Sequence, residues 1–330
     1  MRRGALLAAL IAFLAVSAVA QNYAFVPDNN PAAGSNNIWP FNMSSTTGRF
    51  IQILDAKYLP QRPVKITEVA FTRYSSSYPS TFYARQFQMR MSHSPTTLCP
   101  LTMTFTDHMA PCPTNLIDTQ AGFTYTIPAV DNWVDIGTVA DFGYDGQRNV
   151  CLEVRFRYQD INQGFACWAD GAGTPRLMSK LTTIDNYAAA TGSNMWCNNG
   201  LKVRLEWTDR HVLLAPDTVN IGSSGLIMMY GLPPADFFQV AASFGQNQLP
   251  LGSCSVFLDP DALLFLSVVL GPPIFVQYGG TVPAAGVARA QLSVPALKQL
   301  VGICVYHAAI TYNASGITGC TNTAGSQLVP

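Results

Sequence analysis

The chain has 330 residues, 48% of them hydrophobic and only 12% charged, and its 19 basic and 19 acidic side chains cancel. That balance argues against nucleic acid as a partner, because phosphate binding needs a basic excess or a basic patch. The length is enough for two hydrophobic cores.

The N-terminus reads Met1-Arg2-Arg3, an apolar stretch from Ala5 to Val19, then Ala18-Val19-Ala20 before Gln21. These are the basic, apolar and small-residue parts of a secretory signal peptide, so residues 1–20 are expected to be cleaved and the protein to be secreted, extracellular or at the cell surface. Removing Arg2 and Arg3 leaves 17 basic residues (19 − 2) against 19 acidic ones. A second apolar run, Ala262 to Leu270, is too short to span a bilayer and is stopped by Pro272 and Pro273, so no membrane span is expected after cleavage.

Within residues 21–210 the sequence alternates in several places with a period of two, the pattern of strands with one buried face. Phe87, Met89 and Met91 oppose Gln86, Gln88 and Arg90; Val150, Leu152, Val154, Phe156 and Tyr158 oppose Cys151, Glu153, Arg155 and Arg157; Leu201, Val203, Leu205 and Trp207 oppose Lys202, Arg204 and Glu206. Composition changes near His211, since all five tryptophans precede it and only Arg289, Lys298, Asp217, Asp236, Asp259 and Asp261 are charged after it. In residues 211–330 strands are expected over 226–230, 237–243, 254–258, 264–270, 274–278, 288–294 and 303–312, with one short helix over 295–300 between Pro295 and Gly302. The fold class is therefore all-β: two antiparallel β-sandwich, jelly-roll-like domains, 21–210 and a smaller, charge-poor 211–330.

Eight cysteines follow Ala20: Cys99, Cys112, Cys151, Cys167, Cys197, Cys254, Cys304 and Cys320. An even count in an exported chain, without close pairs of the kind that bind zinc, reads as a disulfide framework. Five precede the proposed boundary and three follow it, so either one bridge crosses it or one thiol on each side stays free. Cys99 with Cys112 and Cys167 with Cys197 are the expected local pairs. A Cys167–Cys197 bond would gather Trp168 and Trp196, with Asp170, Arg176 and Asn198 near them, either as core packing over the bridge or as a platform for a sugar ring.

Several segments carry a resemblance: Arg49-Phe50-Ile51-Gln52, Ile66 to Arg73, Met89 to Ser94, Asp141 to Glu153, Leu251-Gly252-Ser253-Cys254, Pro295 to Gly302, and Thr321-Asn322. Through them the chain resembles a family of exported two-domain β-sandwich proteins of unknown function, common in planctomycete and myxobacterial-type bacteria. The resemblance implies export and fold, and it implies no activity, cofactor or catalytic residue.

No catalytic constellation stands out. Gly222-Ser223-Ser224-Gly225 is not a nucleophile elbow, and the all-β pattern offers no strand-to-helix turn for one. Glycoside hydrolysis needs two carboxylates of unlike pKa, and of Glu68, Glu153 and Glu206 the last two are better explained by ion pairing with neighbouring arginines. Asp131, Asp135, Asp141 and Asp145 fall in a loop-rich stretch that suits calcium, although turn formation explains them more simply. His307, in an apolar segment, reads as a hydrogen-bonded core or interface histidine. No cofactor is expected. The expected function is that of a secreted or cell-surface structural or interaction protein, pairing with itself or with another surface protein; the alternatives are a glycan-binding module and an extracellular hydrolase.

Overall fold

The computed structural model describes residues 22–32, 34–37, 47–73, 81–98, 101–120, 122–126, 132–158, 167–170, 178–184, 186–197 and 200–330. The segment read as a signal peptide, and Cys99, Asp131, Arg176 and Asn198, lie outside them.

The described chain is β-rich, arranged in several sheets and consistent with a β-sandwich-type protein. A five-stranded sheet runs Asn22–Val26, Val203–Thr208, Val64–Thr72, Trp133–Asp135, with Phe142–Tyr144 also on Val64–Thr72. A seven-stranded sheet runs Asn194–Trp196, Met178–Ile184, Thr47–Leu54, Val150–Tyr158, Thr81–His93, Thr114–Thr119, with Phe123–Thr126 also on Thr81–His93. Both sheets contribute to one buried cluster that includes Val26, Phe71 and Leu205 from the first and Phe50, Met89 and Val154 from the second. The alternation in the sequence is thus realised, since Phe87, Met89, Met91, Val150, Leu152 and Val154 are all buried.

The other face of Val150–Tyr158 departs from the expectation of a solvated surface. Cys151 and Glu153 are fully buried, because Leu101, Phe105, Met109 and Ala189 cover that side in a separate apolar cluster with Ile51 and Ile53. The loops over 101–109 and around Ala189 are polar enough in sequence to pass for surface, and their few apolar residues do the covering.

From Val212 onward a four-stranded sheet (Val212–Leu214, Ser224–Tyr230, Ala288–Ser293, Phe275–Val276) faces a six-stranded one (Thr218–Asn220, Ala324–Val329, Cys304–Asn313, Phe237–Ser243, Gly279–Thr281, with Gly316–Cys320 on Cys304–Asn313). They enclose a second cluster built on Ile227, Met229, Val240, Ala290, Val305 and Leu328. Thr218–Asn220 pairs in parallel with Ala324–Val329.

One expected strand is a helix. The apolar run read as a strand over 264–270 forms the helix Ala262–Val269. Asp261 caps it, accepting from Leu264 N at 2.9 Å, and Gly271 with the two prolines ends it. A continuous apolar run has no period to separate strand from helix, and the capping aspartate was the deciding signal. The short helix expected over 295–300 is one 3-10 turn, Lys298–Leu300.

Three of the segments that carried the resemblance, 89–94, 141–153 and 321–322, come together in space. Phe142 forms a parallel bridge with Thr323. Asn322 presents its amide to Leu213, accepting from Leu213 N and donating to Leu213 O, both at 2.8 Å. Gly143 lies so close that a Cβ there would stand 2.5 Å from Leu213 O. Arg148 pairs with Asp145 and Asp217 and donates from Nη2 to His93 Nδ1 at 2.9 Å. Among the described residues, no helix is long and apolar enough to cross a membrane.

Candidate functional site

The helix Ala262–Val269, with sequence ALLFLSVV, is apolar on every side. Ser267, its one polar residue, is also its only buried one; its Oγ accepts from Ala242 N at 2.8 Å and fastens the helix to the Phe237–Ser243 strand. Asp261 also accepts from Phe244 N at 2.8 Å, which fixes the entry to the helix. The outer side is left in water, with Phe265 62% and Val269 80% exposed and Leu266, Val268 and Leu270 exposed beside them. A helix apolar all round is normally enclosed by protein or lipid.

Two apolar grooves flank this ridge. One, of about 170 Å³, runs between the helix and the Pro295–Leu300 turn over Leu266, Leu270, Phe275, Leu292 and Leu300. The other, of about 200 Å³, lies over Leu249, Leu251, Val256, Leu264 and Ile310. From Ala262 to Ala288 there is no charged residue at all. The charges at the head of the helix are engaged: Asp261 caps it, and Asp259 accepts from Asn247 at 2.6 Å.

The residues singled out from sequence fare unequally. Cys112 pairs with Cys304 across 192 residues, which overturns the expected Cys99–Cys112 loop and realises the crossing bridge that the five-to-three division allowed. Cys254 pairs with Cys320. Cys151 is not in a disulfide: it is buried under Phe105 and Met109, with no second thiol in reach among the described residues. Burial pushes that thiol upward, with Glu153 adding to it, so it is a poor nucleophile. Cys197 is disulfide-bonded. Trp168 and Asp170 lie on the strand Cys167–Asp170 and Trp196 on Asn194–Trp196.

The aspartates read as a calcium set are dispersed to separate partners. Asp135 pairs with Arg204, Asp141 with Lys65 at 3.1 Å, and Asp145 with Arg148 at 2.5 Å. Asp145 also accepts from Gln147 N and Arg148 N, a turn built by its own side chain.

The glutamates divide. Glu153 is ion-paired as expected, but with Arg49 and Arg90 on the neighbouring strands, each Nε at 2.5 Å, as well as with Arg155. Burial works to raise its pKa, and the three guanidiniums outweigh that and hold the carboxyl below the usual range. Such a group cannot deliver a proton near neutral pH. Register sets Glu68 on one side and Tyr23 on the other, not an arginine, opposite Glu206, and Arg204 on its own strand pairs with Asp135 instead. Burial and then, among neighbouring charges, Asp135 and Glu206 raise Glu68, against backbone N–H donors from Thr138 and Gly137. On the same outer face of the five-stranded sheet, half-buried Phe25 sits 5.5 Å from Trp133 and 6.0 Å from Tyr23. The sequence reading missed this trio, although Tyr23 and Phe25 already alternated with Ala24 and Val26.

His307 is buried against Tyr278, whose hydroxyl lies 3.2 Å from Nδ1, and burial pushes its pKa down to about 3. Of the core and interface positions that the sequence left open, it takes the core one.

Comparison with protein-family models and with curated proteins returns no match. Among solved structures, the chain is similar to a Parabacteroides merdae β-glucuronidase, at 8% identity and a TM-score of 0.22, with 93% of this chain and 28% of that one covered. It is also similar to a tetra-tandem repeat from the extending region of a large adhesion protein, at 8% identity and a TM-score of 0.21, with 94% and 99% covered. This chain therefore spans little more than a quarter of the glucuronidase, and superpositions of this quality carry no argument about fold or activity.

Proposed function

We propose that this is a secreted, non-catalytic interaction protein of the cell exterior that pairs with a second copy of itself through the Ala262–Val269 helix and its two grooves. The observation that carries this is the exposure of Phe265 and Val269 on a helix with no polar outer face. Ridge and grooves on one surface suit a two-fold pairing, in which the helix of each copy seats in a groove of the other. The absence of charge from Ala262 to Ala288 removes the like-charge conflict that two-fold symmetry would otherwise impose. An eight-residue helix is about 12 Å long, so the flanking grooves are needed to approach the roughly 800 Å² per partner of a stable interface. The proposal keeps the division into sandwich domains at 21–210 and 211–330, with pairing assigned to the second.

Phe265→Glu with Val269→Glu tests it by light scattering after size exclusion. The wild type is expected to run as a dimer and the double variant as a folded monomer with an unchanged Tm. A wild-type monomer, or a variant that still pairs, contradicts the proposal.

A second reading, glycan binding, is favoured by the row of Tyr23, Phe25 and Trp133 beside Glu68 and Asp135, since aromatic faces with carboxylates at their rim suit sugar rings. Trp133→Ala is expected to abolish retention on a glycan array while preserving the fold; no retention of the wild type removes this reading.

A further inference from the structure

A second site lies on the outer face of the seven-stranded sheet, away from the apolar helix. Arg49, Arg155 and Arg90 come from three adjacent strands: Arg155 is the cross-strand neighbour of Arg49, and Glu153 that of Arg90. All three guanidiniums converge on the single carboxylate of Glu153, which is wholly buried, while the arginine side chains are 5%, 18% and 19% exposed for Arg49, Arg90 and Arg155. Arg49 has further partners, donating from Nη1 to Ala189 O at 2.5 Å and lying over the Phe105 ring at 4.2 Å. Arg90 is held by Glu153 at both Nε and Nη2.

Arg155 is different. Its Nε stands 3.2 Å from Glu153 Oε2, within ion-pair reach, yet without the geometry of a hydrogen bond, and that buried Nε has no hydrogen-bond partner among the described residues. Like charges opposed across a ladder are destabilising, and a buried donor without an acceptor adds to the cost. At the groove itself three guanidiniums, of Arg49, Arg90 and Arg155, stand against the one carboxylate of Glu153, an excess of two positive charges.

Arg49, Arg90 and Arg155 line a groove of about 450 Å³ that is also lined by Met109, Pro111 and Pro113. Gln327 lines it as well, and Cys112 of the Cys112–Cys304 bridge lies between the two prolines in sequence. In a chain with so few charges, three arginines around one carboxylate facing an apolar wall is an arrangement that folding alone does not favour, and departures of that kind concentrate at functional sites.

We infer that this groove binds a small organic dianion, with two carboxylate or sulfate oxyanions set on a compact apolar body. The oxyanions would take the two uncompensated positive charges, with Arg155 as the principal donor in a planar, two-pronged contact, and the apolar body would lie against Met109 and the prolines. The volume is in the range of small-molecule sites.

Calorimetric titration of the full chain at constant ionic strength tests this, with phthalate as the dianion on an apolar body, malonate and inorganic sulfate as dianions without one, and benzoate as the monoanion. Saturable one-to-one binding of phthalate is expected, with malonate and sulfate weaker and benzoate weaker by about tenfold or more. Whether malonate or sulfate is the better of the two identifies the preferred oxyanion. Arg155→Gln is expected to lower phthalate affinity by about tenfold or more while its own Tm stays level or rises, because a repelled cation has been removed. Should that variant not fold, the arginine Nε–H resonances of the wild type decide, since phthalate must shift that of Arg155. The inference is overturned if no dianion binds beyond chloride at matched ionic strength, if sulfate binds as tightly as phthalate, or if Arg155→Gln binds phthalate as the wild type does.

Discussion

Of the three glutamates in the chain, Glu153 alone is withdrawn completely from water, and it alone is surrounded by cations. The pairing was legible from the alternation of Glu153 with Arg155, but the cross-strand donors were not, because register brings Arg49 and Arg90 from 104 and 63 residues away. Histidines supply the residue-scale prediction. Burial lowers His307 to about 3, and burial, Lys65 and Arg210 lower His211 to about 4. Unfolded histidine titrates near 6.5, so between roughly pH 4 and 6.5 the unfolded chain binds more protons than the folded one. Stability is therefore full above about 6.5 and lost as pH falls toward 4, with depressed Glu153 extending the loss below its unfolded pKa near 4.5. His307→Gln is expected to flatten the slope of unfolding free energy between pH 6.5 and 4 by up to about 1.4 kcal/mol per pH unit. An unchanged slope in urea melts across that range would count against a buried neutral His307.

At the scale of elements, periodicity located the strands well wherever one face is buried, as in Val203–Thr208 and Phe237–Ser243. It failed at Ala262–Val269, because a segment apolar on all sides carries no phase, and what made it a helix was an aspartate cap ahead of it and prolines behind. Ser267→Ala removes the hydroxyl that satisfies Ala242 N and is expected to cost about 1 to 3 kcal/mol in chemical unfolding. A neutral result would mean the helix is not held there. Gly143 tests the junction in the same way. Alanine would drive a Cβ against Leu213 O and Asn322 Nδ2, both 2.5 Å away, so Gly143→Ala is expected to destabilise by about 1 to 3 kcal/mol. An unaltered melting curve would show that Phe142–Tyr144 does not dock on Asn322 as described.

For the whole molecule, the Cys112–Cys304 bridge ties the sheets before Thr208 to those after Val212, alongside Arg148–Asp217 and the Phe142–Thr323 bridge. Cysteine arithmetic made a crossing bond one of two options, but spacing alone favoured the nearby Cys99 as partner for Cys112, since only the packed sheets bring Cys304 beside it. Replacing Cys112 and Cys304 together by serine is expected to lower the unfolding free energy by about 2 to 4 kcal/mol, as for other bridges that close long loops. No loss would show that the noncovalent contacts suffice. The scarcity of charge after His211 was equally plain in the sequence, whereas its concentration into one exposed helix between two grooves needed the fold.

Self-pairing through that helix is most directly tested by the salt dependence of association. Sedimentation equilibrium of the full chain from about 0.02 M to about 0.5 M sodium chloride spans strong to weak electrostatic screening. An interface of apolar area predicts a dimer whose Kd is unchanged or tightened by salt. A monomer at every concentration, or a dimer that dissociates as salt rises, would contradict it.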